Sequence, residues 1–214
     1  MSKENDNEAG LHQRIKRYRE INNSHDLLEI QRVSWQLLRD GVNSAKSALH
    51  TPGLATTGEH GPSLRTVVLR FCNEERRVLA CHSDIRSAKV REAQADPRGS
   101  WLFYDRKRKL QLRLTGQLSI HVDDDFADSR WEKTTDSGRA CYNTERSPGQ
   151  HVPKPAGAPD RIADANDEQA ARSHFAVIAC KIEFLDWLVL SARGHRRAQF
   201  HWREGQWQAS WVSP

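Results

Sequence analysis

The chain has 214 residues, 37% of them hydrophobic, with a mean hydropathy of −0.79, a net charge of +5 and an isoelectric point near 9.2. That length fits one domain with a real core, and the polarity favours many short strands joined by long polar connections over a large helical core. No apolar run approaches the ~20 residues of a membrane span, the four cysteines are too scattered for a zinc site or a disulfide scaffold, and the polar start Met1 to Asn5 does not read as a signal peptide, so a cytoplasmic protein is expected.

Residues 1–24 mix Lys, Arg, Glu and Asn with few apolar residues and read as a mobile arm, leaving residues 25–214 as a single domain. From Ser24, a plausible N-cap, apolar residues from Leu27 to Leu38 recur near helical spacing up to Gly41 and predict a helix that packs on a sheet. Ser47 to Thr57, with Pro52 and Gly53 inside, reads as a kinked first strand, and residues 58–62 as a turn. Ser63 to Phe71 is predicted as one strand in which Arg65 shares a face with Val67 and Leu69, an arrangement that calls for an anion. Val78 to His82 is its hairpin partner and runs into Ser83-Asp84-Ile85-Arg86-Ser87-Ala88-Lys89, where a helix begins. Hydroxyls, free backbone amides and a lysine at a helix start together make a phosphate cradle. Pro97 ends that helix.

Ser100 to Tyr104 and Leu110 to Gly116 follow as strands, and the second alternates strictly, putting Gln111, Arg113 and Thr115 on one face where a planar heterocycle can be hydrogen-bonded. A helix carrying Phe126 and Trp131 starts after Val122 with acids at its positive end, and a second helix or turn holds Lys133, Ser137, Arg139 and Tyr142. Residues 147–159 are too rich in Pro and Gly for a packed element and read as a long loop, with the 147–160 stretch a lid, an intersubunit contact or plain flexibility. Phe175 to Phe184 is the most apolar run and predicts a central strand; Leu185 to Leu190, Arg196 to Trp202 and Gln206 to Val212 complete the sheet.

The ordered set R-T-V-V-L-R (residues 65–70), H-S-D-I-R-S-A-K (82–89), L-F-Y (102–104) and Q-L-R-L-T-G (111–116), with Ile182-Glu183-Phe184, His195-Arg196-Arg197 and the closing Trp-Val-Ser-Pro, resembles the pyridoxamine 5′-phosphate oxidase-like superfamily. The resemblance implies a mainly β fold with flanking helices, a six-stranded antiparallel split β-barrel, that binds FMN at a homodimer interface and acts as an oxidoreductase. By that resemblance Arg65, Ser83, Ser87 and Lys89 grip the FMN phosphate with His82 beside them, the backbone of Thr66, Val67, Val68, Leu69 and Arg70 lines the ring edge, and Gln111 bonds the isoalloxazine. Arg146 and Ser147 align with positions that reach FMN from the neighbouring subunit, and Trp187 is a candidate cover for the ring.

Arg70, Lys133, Ser137, His195 and Arg197 align with substrate-binding positions. Several family residues are changed. The Arg-Lys pair at the phosphate helix is Ala88-Lys89, a Tyr-Arg-Ser substrate clasp is Ser129-Lys133-Ser137, the paired Arg and His are His195 and Arg197, and a flavin-contacting Arg is Gln199. Replacing Arg by Lys or Gln at a bidentate contact is not conservative. The fold and the flavin are therefore better supported than oxidation of a phosphorylated B6 vitamer, and NAD(P)H stands beside the vitamer as a reductant. A module that only sequesters flavin or haem is the alternative. No membrane or metal is expected, and with no aromatic-basic motif, no nucleic-acid partner either.

Overall fold

The computed structural model describes residue 22, residues 24–153 and residues 168–214. Most of the arm predicted for residues 1–24, and residues 154–160 of the predicted loop, lie outside them.

The first described helix, α1 (Leu27–Asn43), is capped two residues later than expected. Asp26 is the N-cap, its carboxylate accepting from the amides of Leu28 at 2.9 Å and Glu29 at 3.3 Å, while Ser24 Oγ donates to the Glu29 carboxylate at 2.9 Å. Ile30, Val33, Trp35, Leu37 and Leu38 are buried against the sheet.

Among the described residues, nine strands form one antiparallel hydrogen-bonded network: β1 (Gly53–Gly58), β2 (Gly61–Thr66), β3 (Leu69–Asn73), β4 (Val78–Asp84), β5 (Arg98–Asp105), β6 (Leu110–His121), β7 (Phe175–Val189), β8 (Arg196–Arg203) and β9 (Gln206–Val212). This count, larger than the six expected for the barrel, includes the C-terminal β8–β9 hairpin. The strand expected over Ser63 to Phe71 is divided in two, because Val67 and Leu69 give their amides to the carbonyls of Pro52 and His50, both at 2.9 Å, rather than to a neighbouring strand. Conversely, Phe175 to Leu190 is a single 15-residue strand ending at Val189.

β7 organises the network. One edge pairs with β6 along its whole length, and the other is shared, with β4 along Phe175–Lys181 and β8 along Phe184–Val189. The sheet therefore divides at the middle of β7, which is what makes the barrel a split one. The inner faces bury Trp101, Phe103, Leu112, Leu114, Trp187 and Phe200 together with Trp35 of α1. A second apolar cluster forms on the other face of β4, where Trp131, Tyr142, Phe71 and Phe126 gather around Phe175 and Ala80. It is roofed by α3 (Asp125–Glu132), the short α4 (Asp136–Arg139) and α5 (Glu168–His174); α2 (Ala88–Ala95) lies against β1 and β6.

The β6–β7 register shifts between Thr115 and Gly116, and a Cβ added at Gly116 would lie 2.0 Å from the Lys181 carbonyl oxygen. Backbone cannot yield as a flexible side chain does, so only glycine lets these central strands close. Gly116→Ala is expected to destabilise the protein by about 3 kcal/mol, read as a lower midpoint in urea denaturation; an unchanged midpoint would contradict this packing.

Candidate functional site

The alternation of β4 decides what the site contains. Leu79, Cys81 and Ser83 point to the inner face, while Ala80 and His82 point to the helical cluster. Ser83 and Ser87 hold their hydroxyl oxygens 2.9 Å apart, and Lys89 Nζ donates to Ser83 Oγ at 3.2 Å. Ser87 is the N-cap of α2 but makes no side-chain cap to the helix, so the first-turn amides are without that usual acceptor. Among the described residues no carboxylate lies within ion-pair distance of Lys89. Burial pushes its pKa down, the nearby Arg65 cation adds to that, and Cys81, Asp84 and Glu92 oppose it. A half-buried ammonium beside two hydroxyls and a helix N-terminus is a site for an anion.

Arg65 projects to the same region. Its guanidinium bonds Thr56 Oγ1 at 2.6 Å, the Leu54 carbonyl at 3.2 Å, Ser63 Oγ, and the Glu92 carboxylate at 2.7 Å. Burial works against ionisation of Glu92, but hydrogen bonds from Thr56, Arg65 and Ser63 hold its carboxyl below the usual range. The anion that the sequence demands for Arg65 is thus supplied by the chain itself, one helical turn beyond Lys89. Sequence reasoning missed Glu92, although its spacing from Lys89 placed it on the same helix face.

His82 does not join Ser83. As its neighbour on the strand it points the opposite way, packing edge-on against Phe175 with ring centroids 4.9 Å apart. Burial, then the charges of Arg70 and Arg130, push its pKa down to about 4, so the ring is neutral near pH 7. Arg70 occupies the bulge between Leu69 and Phe71 and is exposed. Thr66 is exposed at the end of β2, Val67 and Leu69 are buried, and Val68 is partly so.

Arg86, also missed, ties the cradle to a distant segment. It grips the Asp84 carboxylate through Nε at 3.0 Å and Nη2 at 2.7 Å, and it donates to the carbonyls of Thr144 at 3.1 Å and Glu145 at 3.2 Å. Arg146 and Ser147 follow directly, so the structure brings their segment to the turn that carries the cradle.

On the outer face of the barrel, Gln111 stands opposite Tyr104 on one side and Leu188 on the other, and Arg113 stands opposite Leu102 and Asp186. Here a further group appears. The Asp186 side chain is 1% exposed and accepts from Arg113 Nη2 at 2.7 Å, from Arg197 Nη2 at 2.7 Å and Nε at 3.0 Å, and from Gln199 Nε2 at 3.2 Å. Burial alone would raise its pKa; the bonds from Arg197, Arg113 and Gln199 more than offset this and keep it ionised. Trp187, the next residue, is 0% exposed in the core, edge-on to Trp211. It faces away from Gln111, so it has no route to cover a ring lying on that outer face.

The residues aligned with the substrate site fall into two groups. Ser129 donates its hydroxyl to the Phe126 carbonyl at 2.9 Å, Lys133 is the exposed C-cap of α3, and Ser137 is exposed and bonded to Thr135. These sit on the helices around the start of β7. His195, accepting from the Ser191 amide at 3.1 Å, lies just beyond its far end, and Arg197 stands opposite Leu188 near that end. Most of the length of β7 separates the two groups along the sheet. A cavity of about 1540 Å³ also lies at that far end, between the turn after α1 and the β5–β6 and β7–β8 turns, with Lys46, Arg106, Lys109 and Arg193 on its walls. It includes none of the cradle residues.

Residues 32–122 match the family model of the pyridoxamine 5′-phosphate oxidase FMN-binding domain, a stretch that contains Arg65, the cradle and Gln111. A pyridoxine/pyridoxamine 5′-phosphate oxidase of Myxococcus xanthus is 25% identical over 181 residues, covering 75% of this chain and 80% of the relative. Among solved structures, a pyridoxamine 5′-phosphate oxidase-related, FMN binding protein from Nostoc punctiforme superposes with a TM-score of 0.71 at 24% identity, over 86% of this chain and 97% of that one. PhzG from Burkholderia lata, in complex with tetrahydrophenazine-1-carboxylic acid, does so with a TM-score of 0.63 at 17% identity, over 86% and 92%. At these identities the two structures establish the fold. Residues 32–122 are thus similar to the FMN-binding domain of pyridoxamine 5′-phosphate oxidases, and the chain shares its fold with the two solved structures.

Proposed function

We propose that the chain is an FMN-dependent oxidoreductase of the cytoplasm that works as a homodimer, with the flavin phosphate on Lys89, Ser83, Ser87 and the first amides of α2. The observation that carries this reading is the half-buried Lys89 ammonium, set beside two hydroxyls at a helix start with no ion-paired carboxylate. A phosphate there restores the electrostatic balance that burial disturbs. Arg65 is the second cation, available to the phosphate to the extent that Glu92 yields it. When bound, FMN supplies a ring that exchanges two electrons with an organic substrate or a reduced nicotinamide. Gln111 lies on the outer barrel face, where its amide can bond the ring edge.

Two features support a dimer. Lys133 and Ser137 on one side, and His195 and Arg197 on the other, lie at opposite ends of β7, so one copy can complete the other's substrate site. The outer face around Gln111 also exposes Leu64, Leu102 and Tyr104, at 64%, 39% and 47%, an apolar surface that a second copy would cover. The substrate itself need not be a phosphorylated B6 vitamer. Ser129 has its hydroxyl bonded to backbone and Lys133 replaces a forked guanidinium, so the phosphate clasp of the helical side is weak.

Reduction of the bound flavin decides the substrate class. Under anaerobic mixing, bleaching by pyridoxamine 5′-phosphate would identify a B6 oxidase and bleaching by NAD(P)H alone a reductase; a flavin that neither reduces would favour the sequestering module and contradict the enzyme reading.

Lys89→Ala is expected to weaken FMN binding on the order of 10- to 100-fold, because Ala88 offers no cation beside it and Arg65 is engaged by Glu92; unchanged flavin content after desalting would contradict the placement. Gln111→Leu should shift the flavin absorption bands and reduction potential while leaving the thermal midpoint nearly unchanged, a claim that an identical spectrum would refute.

Glu92→Gln should act in two directions. In the absence of flavin it removes an ion pair that is mostly shielded from water, costing about 1–2 kcal/mol near pH 7. Because the folded-state pKa of Glu92 is depressed, its contribution is present above the unfolded value of about 4.3 and fades as pH falls through that value and below. The difference between wild type and variant should therefore vanish in acid. With Arg65 released, FMN affinity should rise; denaturation curves across pH and a flavin titration check both.

A further inference from the structure

We propose that the Arg113–Asp186–Arg197 cluster is the site where this protein reads a monoanionic carboxylate on its substrate, and that Asp186 is the positioning residue that sets its charge. The inference rests on the reading that the flavin ring lies along the Gln111 face.

The cluster is built from three neighbouring strands. Arg113 of β6, Asp186 of β7 and Gln199 of β8 stand in one cross-strand row, and Arg197 is the next residue of β8 on the same face. Each strand delivers its residue outward because β6 and β7 alternate against a core in which Leu112, Leu114, Leu185 and Trp187 point inward. Nη2 of Arg113 and Nη2 of Arg197 each lie 2.7 Å from the same oxygen, Asp186 Oδ2, so the two guanidiniums converge on one point. A guanidinium carries five N–H donors. Asp186 engages one of Arg113 and two of Arg197, leaving the others to face outward, where the Arg113 side chain is 45% exposed and that of Arg197 26%.

Charge then selects the ligand. Two arginines over one ionised aspartate leave a single net positive charge, which matches a carboxylate better than a phosphate dianion. The fork geometry of two anchored guanidiniums also suits a planar two-oxygen acceptor. Gln111 is two residues from Arg113 on the same face, roughly 7 Å away along the strand. A substrate whose carboxylate sits on the arginines would place its body over the sheet face that carries Gln111. This assigns recognition of the substrate carboxylate to the β6–β8 face and leaves the Ser129, Lys133 and Ser137 side to contact other parts of the substrate.

The test uses the full chain loaded with FMN, titrated with benzoate, benzamide and inorganic phosphate, followed by calorimetry and by perturbation of the flavin bands. Benzoate is expected to bind and perturb the flavin, with benzamide and phosphate weaker by tenfold or more, as loss of a charge-assisted contact implies. Arg113→Gln should weaken benzoate about tenfold with FMN content and thermal midpoint unchanged. Asp186→Asn raises the net charge of the cluster by one and should turn the preference toward phosphate, which a purely structural aspartate would not do. Equal binding of benzoate and benzamide, or an Arg113→Gln variant that binds benzoate as wild type does, would overturn the proposal even if Asp186→Asn failed to fold. Failure of the flavin reading is seen separately, as protein that retains no FMN, and calorimetry on that protein still reports whether the arginines prefer benzoate.

Discussion

A cation held partly out of water is the constraint on which the rest of the site depends. Lys89 has hydroxyls at hand and a helix start beneath it, yet among the described residues no carboxylate within ion-pair distance. Burial of an ammonium in that way is unfavourable unless something negative arrives. Every neighbouring arrangement conforms to this. Ser87 leaves the first amides of α2 without a side-chain cap, Arg86 draws the 144–147 segment to the same turn, and Glu92, one helical turn beyond Lys89, is bound to Arg65. The cradle is a place for an anion because the chain's own anions are occupied elsewhere.

The second constraint is the length of β7. Its one unbroken edge on β6 and its divided edge on β4 and β8 create two apolar compartments and two separated chemical ends. The phosphate cradle belongs to the β4 end and the arginine cluster to the β8 end. Such a layout favours a shared site between two copies over a closed pocket in one. The exposed Leu64, Leu102 and Tyr104 on the intervening face fit that arrangement, since apolar side chains of that size are usually covered.

Much of this was legible in the residues. The strict alternation of Leu110 to Gly116 placed Gln111 and Arg113 on the outer face, and the run from Ser83 to Lys89 announced a helix start with hydroxyls and a cation. What was not legible depended on tertiary context. The break at Val67 and Val68 arises because two amides are claimed by residues 50 and 52, a contact that no local pattern signals. Trp187 and Asp186 are neighbours in an apolar run, and only the register of β7 shows that the tryptophan enters the core while the aspartate turns outward to two arginines. His82 adjoins Ser83 in sequence, but strand alternation sends it to the opposite face, where burial keeps it neutral.

The central claim is that the Lys89 cradle holds a phosphate, and comparing FMN with riboflavin tests it most directly, because the two share the ring and differ only in that group. Titration of flavin-free protein, followed by flavin fluorescence, should show FMN bound on the order of 100-fold more tightly than riboflavin, as two or more charge-assisted contacts to the phosphate imply. Equal affinities would mean that the ring alone is recognised and that the cradle serves some other anion.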